Sequence, residues 1–267
     1  MSTDALGDRQ KTYEMAEAGR KLMPLLPVMV RLDGRGFSRF TKGMQRPFDP
    51  GMVQLMADTT KYLVENTGAI LGYCQSDEIT LVLYTDNYST ELFFGSRIQK
   101  LTSVLASMCT AYFNRNLPDF FPNKKTMATF DCRVWNVPTL EEAANAVLWR
   151  ERDATKNSIT MACSHYYSHK ELFKKHQTEQ HDMLHAKGIN WNDYPSAFKR
   201  GTYVRRVKTM SKFTPEELTQ LPAKHNAHKN PDLVVERSRV EFVEFPPFGS
   251  VQNRVGVIFF GEDPDIG

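Results

Sequence analysis

Two acidic positions carry the most chemistry in this chain. Asp33 stands in Arg31-Leu32-Asp33-Gly34-Arg35-Gly36-Phe37, and Asp77 stands in Gln75-Ser76-Asp77-Glu78. Val28–Asp33 reads as a strand of β-branched and apolar residues stopped by glycine, so Asp33 closes a strand. Ala69–Cys74 and Ile79–Tyr84 read as the arms of a hairpin with Asp77 at its acidic tip. If these strands are neighbours, the two carboxylates converge. Two carboxylates with a backbone carbonyl suit magnesium, a hard cation that keeps waters or substrate phosphates in its coordination shell. A pair of such ions activates an attacking hydroxyl and stabilises a leaving pyrophosphate. Gly34 and Gly36 would let a phosphate approach the backbone. The same residues also suit an ordinary Asp-Gly turn and a solvated hairpin tip.

Basic residues lie near in sequence. Arg31 and Arg35 flank Asp33, Arg97 and Lys100 share one helix face, and Arg133 follows Asp131. Facing the metals, they would clamp a triphosphate; facing water, they are solvated charges. Lys199-Arg200 to Lys208 is the densest basic run, equally suited to phosphate contact and to a solvated face. Of seven histidines, the pairs 165/169 and 181/185 have helical ligand spacing but no third ligand, so no histidine metal site is expected. Trp191, Tyr194 and Phe198 could stack a base, although core packing is the expected role.

The elements that must position these groups follow from pattern. Residues 5–22 read as a charged helix, 51–67 as a helix entered at Asp49-Pro50 and ended by Gly68, and 90–115 as the longest helix. Thr126–Val134 reads as a strand. A Thr139/Glu142 capping box opens a helix over 140–161. Residues 168–187 read as a basic helix, Thr214-Pro215 as a helix start, 222–232 as a surface loop, and Val234–Phe245 and Val255–Phe260 as strands. The order β, α, ββ, α, β, α predicts an α+β fold, an antiparallel sheet with helices on one face.

The chain has 267 residues, 41% hydrophobic and 24% charged, with net charge +3. That is an ordinary globular composition, mildly basic, and compatible with nucleic acid without demanding it. The four cysteines are scattered and form no CxxC pair, which predicts neither zinc nor a disulfide framework. No apolar run resembles a signal peptide or a membrane span, so no membrane partner and a cytoplasmic location are expected.

The motifs RLDGRGFSRF (31–40), RPFD (46–49), QSDE (75–78), FDCRVWNVP (130–138), WRERDATKNS (149–158) and GINWNDYPSAFKRGT (188–202) occur in that order. Together, over about residues 28–206, they resemble the tRNA-His guanylyltransferase family, in particular its bacterial and archaeal branch. The resemblance implies a polymerase-palm-like antiparallel sheet covered by helices with a helical/β C-terminal extension. It divides the chain into an N-terminal helical extension (1–27), a catalytic part (28–165) and a C-terminal tRNA-binding part of the same unit (166–267). It implies two magnesium ions, GTP, ATP and other nucleoside triphosphates as substrates, tRNA as partner, and a homotetramer.

By the same resemblance, Asp33, Asp77, Glu78 and Ser76 are expected to be catalytic, with Asp33, Gly34 and Asp77 holding metal. Arg31, Gly34, Arg35, Gly36, Phe37, Asp49, Ser76, Arg97 and Lys100 are expected to bind nucleotide or triphosphate. Arg133, Lys156, Asn157, Asn190, Lys199 and Arg200 are expected to contact tRNA. Eukaryotic members carry a His-Ile-Asn-Asn-Leu-Tyr-Asn segment where this chain has Thr155–Met161, with Thr155 in place of the histidine. That departure implies template-directed 3′-to-5′ repair of tRNA 5′ ends. The alternatives are guanosine addition at position −1 of tRNA-His, a palm-type nucleotide cyclase, and a non-catalytic tRNA-binding protein.

Overall fold

The computed structural model describes residues 4–230 and 232–267. Residues 1–3 of the expected N-terminal extension and Pro231 of the expected 222–232 loop lie outside the described residues. The chain runs through α1 (Ala5–Ala18), β1 (Val28–Gly34), α2 (Phe37–Phe40), α3 (Pro50–Thr67), β2 (Leu71–Gln75), β3 (Glu78–Leu83), α4 (Ile98–Phe120), β4 (Phe130–Asn136) and α5 (Leu140–Tyr166). It continues with α6 (His169–Leu172), α7 (Gln177–Ala186), α8 (Ser196–Arg200), β5 (Thr202–Lys212), α9 (Pro215–Gln220) and β6 (Val234–Val243). One antiparallel six-stranded sheet has the order β4-β1-β3-β2-β5-β6. The first four strands in that order are those of a split βαβ-βαβ unit.

Strand alternation divides the residues between two faces. Val28, Val30 and Leu32 of β1, with Ile79, Leu81 and Leu83 of β3, pack beneath α3 and α4. Met29, Val82 and Tyr73 face the other way, toward Ala143, Val147 and Ala154 of α5 and toward Phe248, Val251 and Ile258 near the C-terminus. Helical segments therefore cover both faces, not one as the sequence predicts, because α5 carries its own apolar stripe. Asp33, Arg31, Asp131 and Arg133 fall on the α5 face by the same alternation.

Several boundaries differ from expectation. α1 stops at Ala18, and Arg20–Leu22 instead pairs with Ser96–Ile98 through Leu22 N–H to Ser96 O and Ile98 N–H to Arg20 O, each 3.0 Å. The long helix starts eight residues late, at Ile98, because Phe94 and Gly95 take left-handed angles. Residues 168–187 form two helices, α6 and α7, each opened by its own capping box. Val255–Phe260 is not a strand: Gly256–Phe260 is a π-helical turn whose Val257 and Ile258 are buried against the α5 face. A six-residue apolar run does not by itself separate the two outcomes. The first residues of β5 extend the sheet beside β2, and the rest of β5 with β6 forms a ribbon reaching beyond it. Among the described residues, no helix is long and apolar enough to cross a membrane.

Candidate active site

The site is built where β1 ends beside the β2–β3 turn. Asp33 pairs with Glu78 across the strands. One residue on, Gly34 N–H donates to the Asp77 carbonyl at 3.0 Å. The turn holds only Ser76 and Asp77 between the paired Gln75 and Glu78. Such tight turns need a left-handed residue; here it is Ser76, at φ 50°, a cost that a non-glycine residue carries where function demands the geometry. The Ser76 hydroxyl donates to Asp77 Oδ1 at 3.0 Å. Gly34 is required for a different reason, since a Cβ there would stand 2.3 Å from the Phe37 ring.

Asp33 and Asp77 line one cleft of about 370 Å³, with Ser76, Glu78, Arg150 and Asn157 also in its wall. Burial pushes the Asp77 carboxyl pKa up, the Ser76 hydrogen bond works against this, and the charges of Asp33 and Glu78 add to it. An anionic pair of this kind, partly shielded from solvent, is stabilised by a hard cation. The residues present therefore fit magnesium, with Asp33, Asp77 and the Gly34 backbone as the group that would hold it. Arg133 lies 3.9 Å from Asp33 and 3.5 Å from Asp131, beside the cleft.

Glu78 is differently placed. Both of its oxygens accept from Arg150, Nε at 2.6 Å and Nη2 at 2.7 Å, and both residues are buried. Burial raises the Glu78 pKa and Arg150 lowers it. Glu78 thus ties the hairpin to α5. One residue along, Glu151 is also buried, accepting from the Tyr203 hydroxyl and the Phe248 N–H, each at 2.7 Å. Neither Arg150 nor Glu151 was singled out from sequence. The available signal was a charged pair at helical spacing within the stripe Val147, Ala154, Ser158 that α5 buries.

A second, more enclosed pocket adjoins the cleft, sharing Gln75, Ser76, Asn157 and Met161 with it. Phe37, Met44, Phe48 and Asp49 also line this pocket. Phe37 is nonetheless a core residue, its ring within 6 Å of those of Phe40, Phe113 and Phe130. Asp49 is the N-cap of α3, accepting from Gly51 and Met52 N–H. Gly36, at φ 66°, opens α2, and Arg35 and Lys156 are exposed.

The remaining expected residues are not gathered here. Arg97 and Lys100 stand at the start of α4, sixteen and thirteen residues before Phe113, about 24 and 20 Å along the axis from the end of the sheet that holds Asp33. Lys199 is buried, its ammonium donating to the Asn192 carbonyl. Asn190 caps a short 3₁₀ turn, accepting from Asn192 N–H. The rest of the basic run is largely engaged within the chain: Arg205 with the Glu262 carbonyl, Arg206 with the carbonyls of Val64, Glu65 and Ala69, and Lys208 with Glu236. Arg200 keeps a single weak contact to Ser196. Trp191 and Phe198 are core, the indole N–H donating to Ser158 Oγ.

The sequence profile of the family described as tRNAHis guanylyltransferase matches residues 7–138. The tRNA(His) guanylyltransferase of Schizosaccharomyces pombe is 30% identical over 207 residues, covering 72% of this chain and 77% of that protein. The chain belongs to the tRNA-His guanylyltransferase family. Among solved structures, a bacterial tRNA(His) guanylyltransferase (Thg1)-like protein in complex with ATP is 42% identical, with TM-score 0.71, over 75% of this chain and 88% of that one. A bacterial protein of the same description in complex with GTP is 34% identical with TM-score 0.71, over 94% and 99%. The family's members are nucleotidyltransferases, and the sheet with helices packed on it is the palm-like fold they share.

Proposed function

We propose that this chain adds nucleotides in the 3′-to-5′ direction to the 5′ end of tRNA, as a metal-dependent, template-directed repair polymerase acting in the cytoplasm. The observation that carries the proposal is the convergence of Asp33 and Asp77 in a cleft that opens into an enclosed, largely apolar pocket. Such a pocket suits a nucleobase, and the cleft suits its phosphates. The names of the bacterial neighbours, bound to ATP and to GTP, support a purine nucleoside triphosphate as the ligand.

In the reaction, the 3′-hydroxyl oxygen of the incoming nucleotide bonds to the α-phosphorus of an activated, 5′-triphosphorylated RNA end. The bond from that phosphorus to the bridging oxygen of the leaving pyrophosphate breaks, and the hydroxyl proton passes to solvent. Bound magnesium would lower the pKa of the attacking hydroxyl and neutralise the leaving pyrophosphate. Asp33 and Asp77 hold the charge that the substrates must meet. Ser76 fixes the Asp77 carboxylate, and the Glu78–Arg150 pair fixes the turn. Arg31 and Arg35 flank Asp33 in sequence and would balance phosphate charge there, and Asn157 is exposed where cleft and pocket meet. A homotetramer is the assembly proposed.

Guanosine addition to tRNA-His is the second reading, favoured by the names of the eukaryotic relatives. Thr155 stands where the eukaryotic members carry a histidine, and the absence of that segment supports repair. The deciding experiment incubates the protein with magnesium, labelled nucleotides and either 5′-truncated tRNA or full-length tRNA-His. Extension of the truncated tRNA by the complementary base is expected. Addition of guanosine alone, to tRNA-His alone, overturns the repair reading.

A further inference from the structure

Trp149 is 54% exposed, an unusual position for the largest apolar side chain. Two guanidiniums lie over its ring, Arg150 at 4.5 Å and Arg31 at 5.6 Å. Arg150 is committed to Glu78. Arg31 has no ion-pair partner among the described residues, and it faces Arg133 directly across the β1–β4 pair. Asp33 lies two residues along β1 on the same face, about 7 Å further. An open indole, two guanidiniums and a cleft carboxylate thus follow one another over the α5 face. Aromatic faces beside phosphate-binding cations are how proteins hold single-stranded nucleic acid.

We infer that Trp149 stacks on the exposed face of the terminal base at the 5′ end of the RNA substrate, while Arg31 and Arg133 take the adjoining phosphates and lead the terminal phosphate toward Asp33. The inference rests on the nucleotidyltransferase reading above and adds an RNA-stacking residue to it. Arg31 also keeps the ring oriented, since an arginine beneath a tryptophan polarises the face offered to a base. The indole N–H of Trp149 makes no hydrogen bond among the described residues, so it remains available to the RNA or to water.

The test measures equilibrium binding of 5′-truncated tRNA, without nucleotides, to the full-length wild type, Trp149→Ala and Trp149→Phe, together with binding of GTP alone and thermal unfolding. Trp149→Ala is expected to weaken RNA affinity about tenfold, and Trp149→Phe to recover most of it. Neither variant should change the GTP Kd or Tm. RNA affinity in Trp149→Ala within twofold of wild type overturns the inference. An equal loss for GTP also overturns it, placing the indole beneath the incoming nucleotide instead. Failure of the nucleotidyltransferase reading would show separately, as a wild type that binds the RNA but incorporates nothing.

Discussion

Arg150 grips Glu78 with two parallel hydrogen bonds, 2.6 and 2.7 Å long, although seventy-two residues separate them in sequence. The pair links the middle of α5 to the residue that follows Asp77, so the orientation of one cleft carboxylate depends on the helix that covers the same face of the sheet. Breaking such a buried pair leaves a charge without a partner, which costs about 3–5 kcal/mol. Arg150→Met is therefore expected to lower unfolding stability on that order and to reduce turnover. Arg150→Lys keeps the charge but not the fork, and should recover part of the stability and little of the activity. Urea unfolding alongside a nucleotide-incorporation assay measures both; a variant of wild-type stability would show that the pair does not hold the turn.

Asp33→Asn and Asp77→Asn should behave in the opposite sense. The charge of Asp33 raises the cost of ionising Asp77, so removing one charge relieves repulsion in the metal-free protein. Unfolding stability should stay level or rise, while turnover falls by about three orders of magnitude, the equivalent of several kcal/mol of lost charge stabilisation in the transition state. Wild-type turnover in either variant would remove that residue from the site.

Glu151 adds a pH dependence from outside the cleft. Burial lifts its pKa above the ordinary value, against hydrogen bonds from Tyr203 and Phe248 that lower it. The folded state thus holds the proton to higher pH than the unfolded chain does. This group's contribution to stability falls as pH rises from about 4.3 through the folded value, and stays low above it. Glu151→Gln removes that slope. The stability of Glu151→Gln relative to wild type should therefore climb with pH and then level off, as read by urea unfolding at a series of pH values. A difference independent of pH would mean that the carboxyl titrates alike in both states.

The β1 end, the acidic turn and the α3 cap were legible because each is local: strand alternation, a glycine stop, an Asp-Pro helix entry. What escaped was non-local. Val255–Phe260 has a strand-like composition, but its fate was settled by the surface left open on the α5 face. Lys199 and Arg206 read as a basic patch, yet each lies next to backbone carbonyls that only the fold supplies. The role considered for Trp191 fits Trp149 instead, because exposure is a tertiary property that neither local sequence declares.

Gly34→Ala tests how tightly the end of β1 is packed. The new methyl would meet the Phe37 ring at 2.3 Å, and that ring is wedged among Phe40, Phe113 and Phe130. Overpacking of this kind costs about 1–3 kcal/mol. The expected result is a measurable loss of stability together with reduced turnover, since the strand carries Asp33 immediately before it. Unchanged stability would mean that Phe37 has room to move, and that this glycine is not needed for packing.

Arg97 and Lys100 yield the last prediction. Within one chain they stand at the opposite end of the sheet from Asp33, beside the Arg20–Leu22 segment that pairs with Ser96–Ile98. If they clamp a triphosphate, as the family resemblance implies, they must do so in the cleft of a neighbouring copy. Arg97→Ala/Lys100→Ala should then be nearly inactive alone, and Asp33→Asn likewise. Unfolded together and refolded as mixed oligomers, the two defective chains should regain activity, because some sites would combine intact carboxylates from one chain with intact cations from another. A mixture as inactive as its components would exclude the shared site. A double variant with normal nucleotide KM but a shallower salt dependence of tRNA binding would assign these cations to the RNA backbone instead, at about one unit of slope per lost phosphate contact.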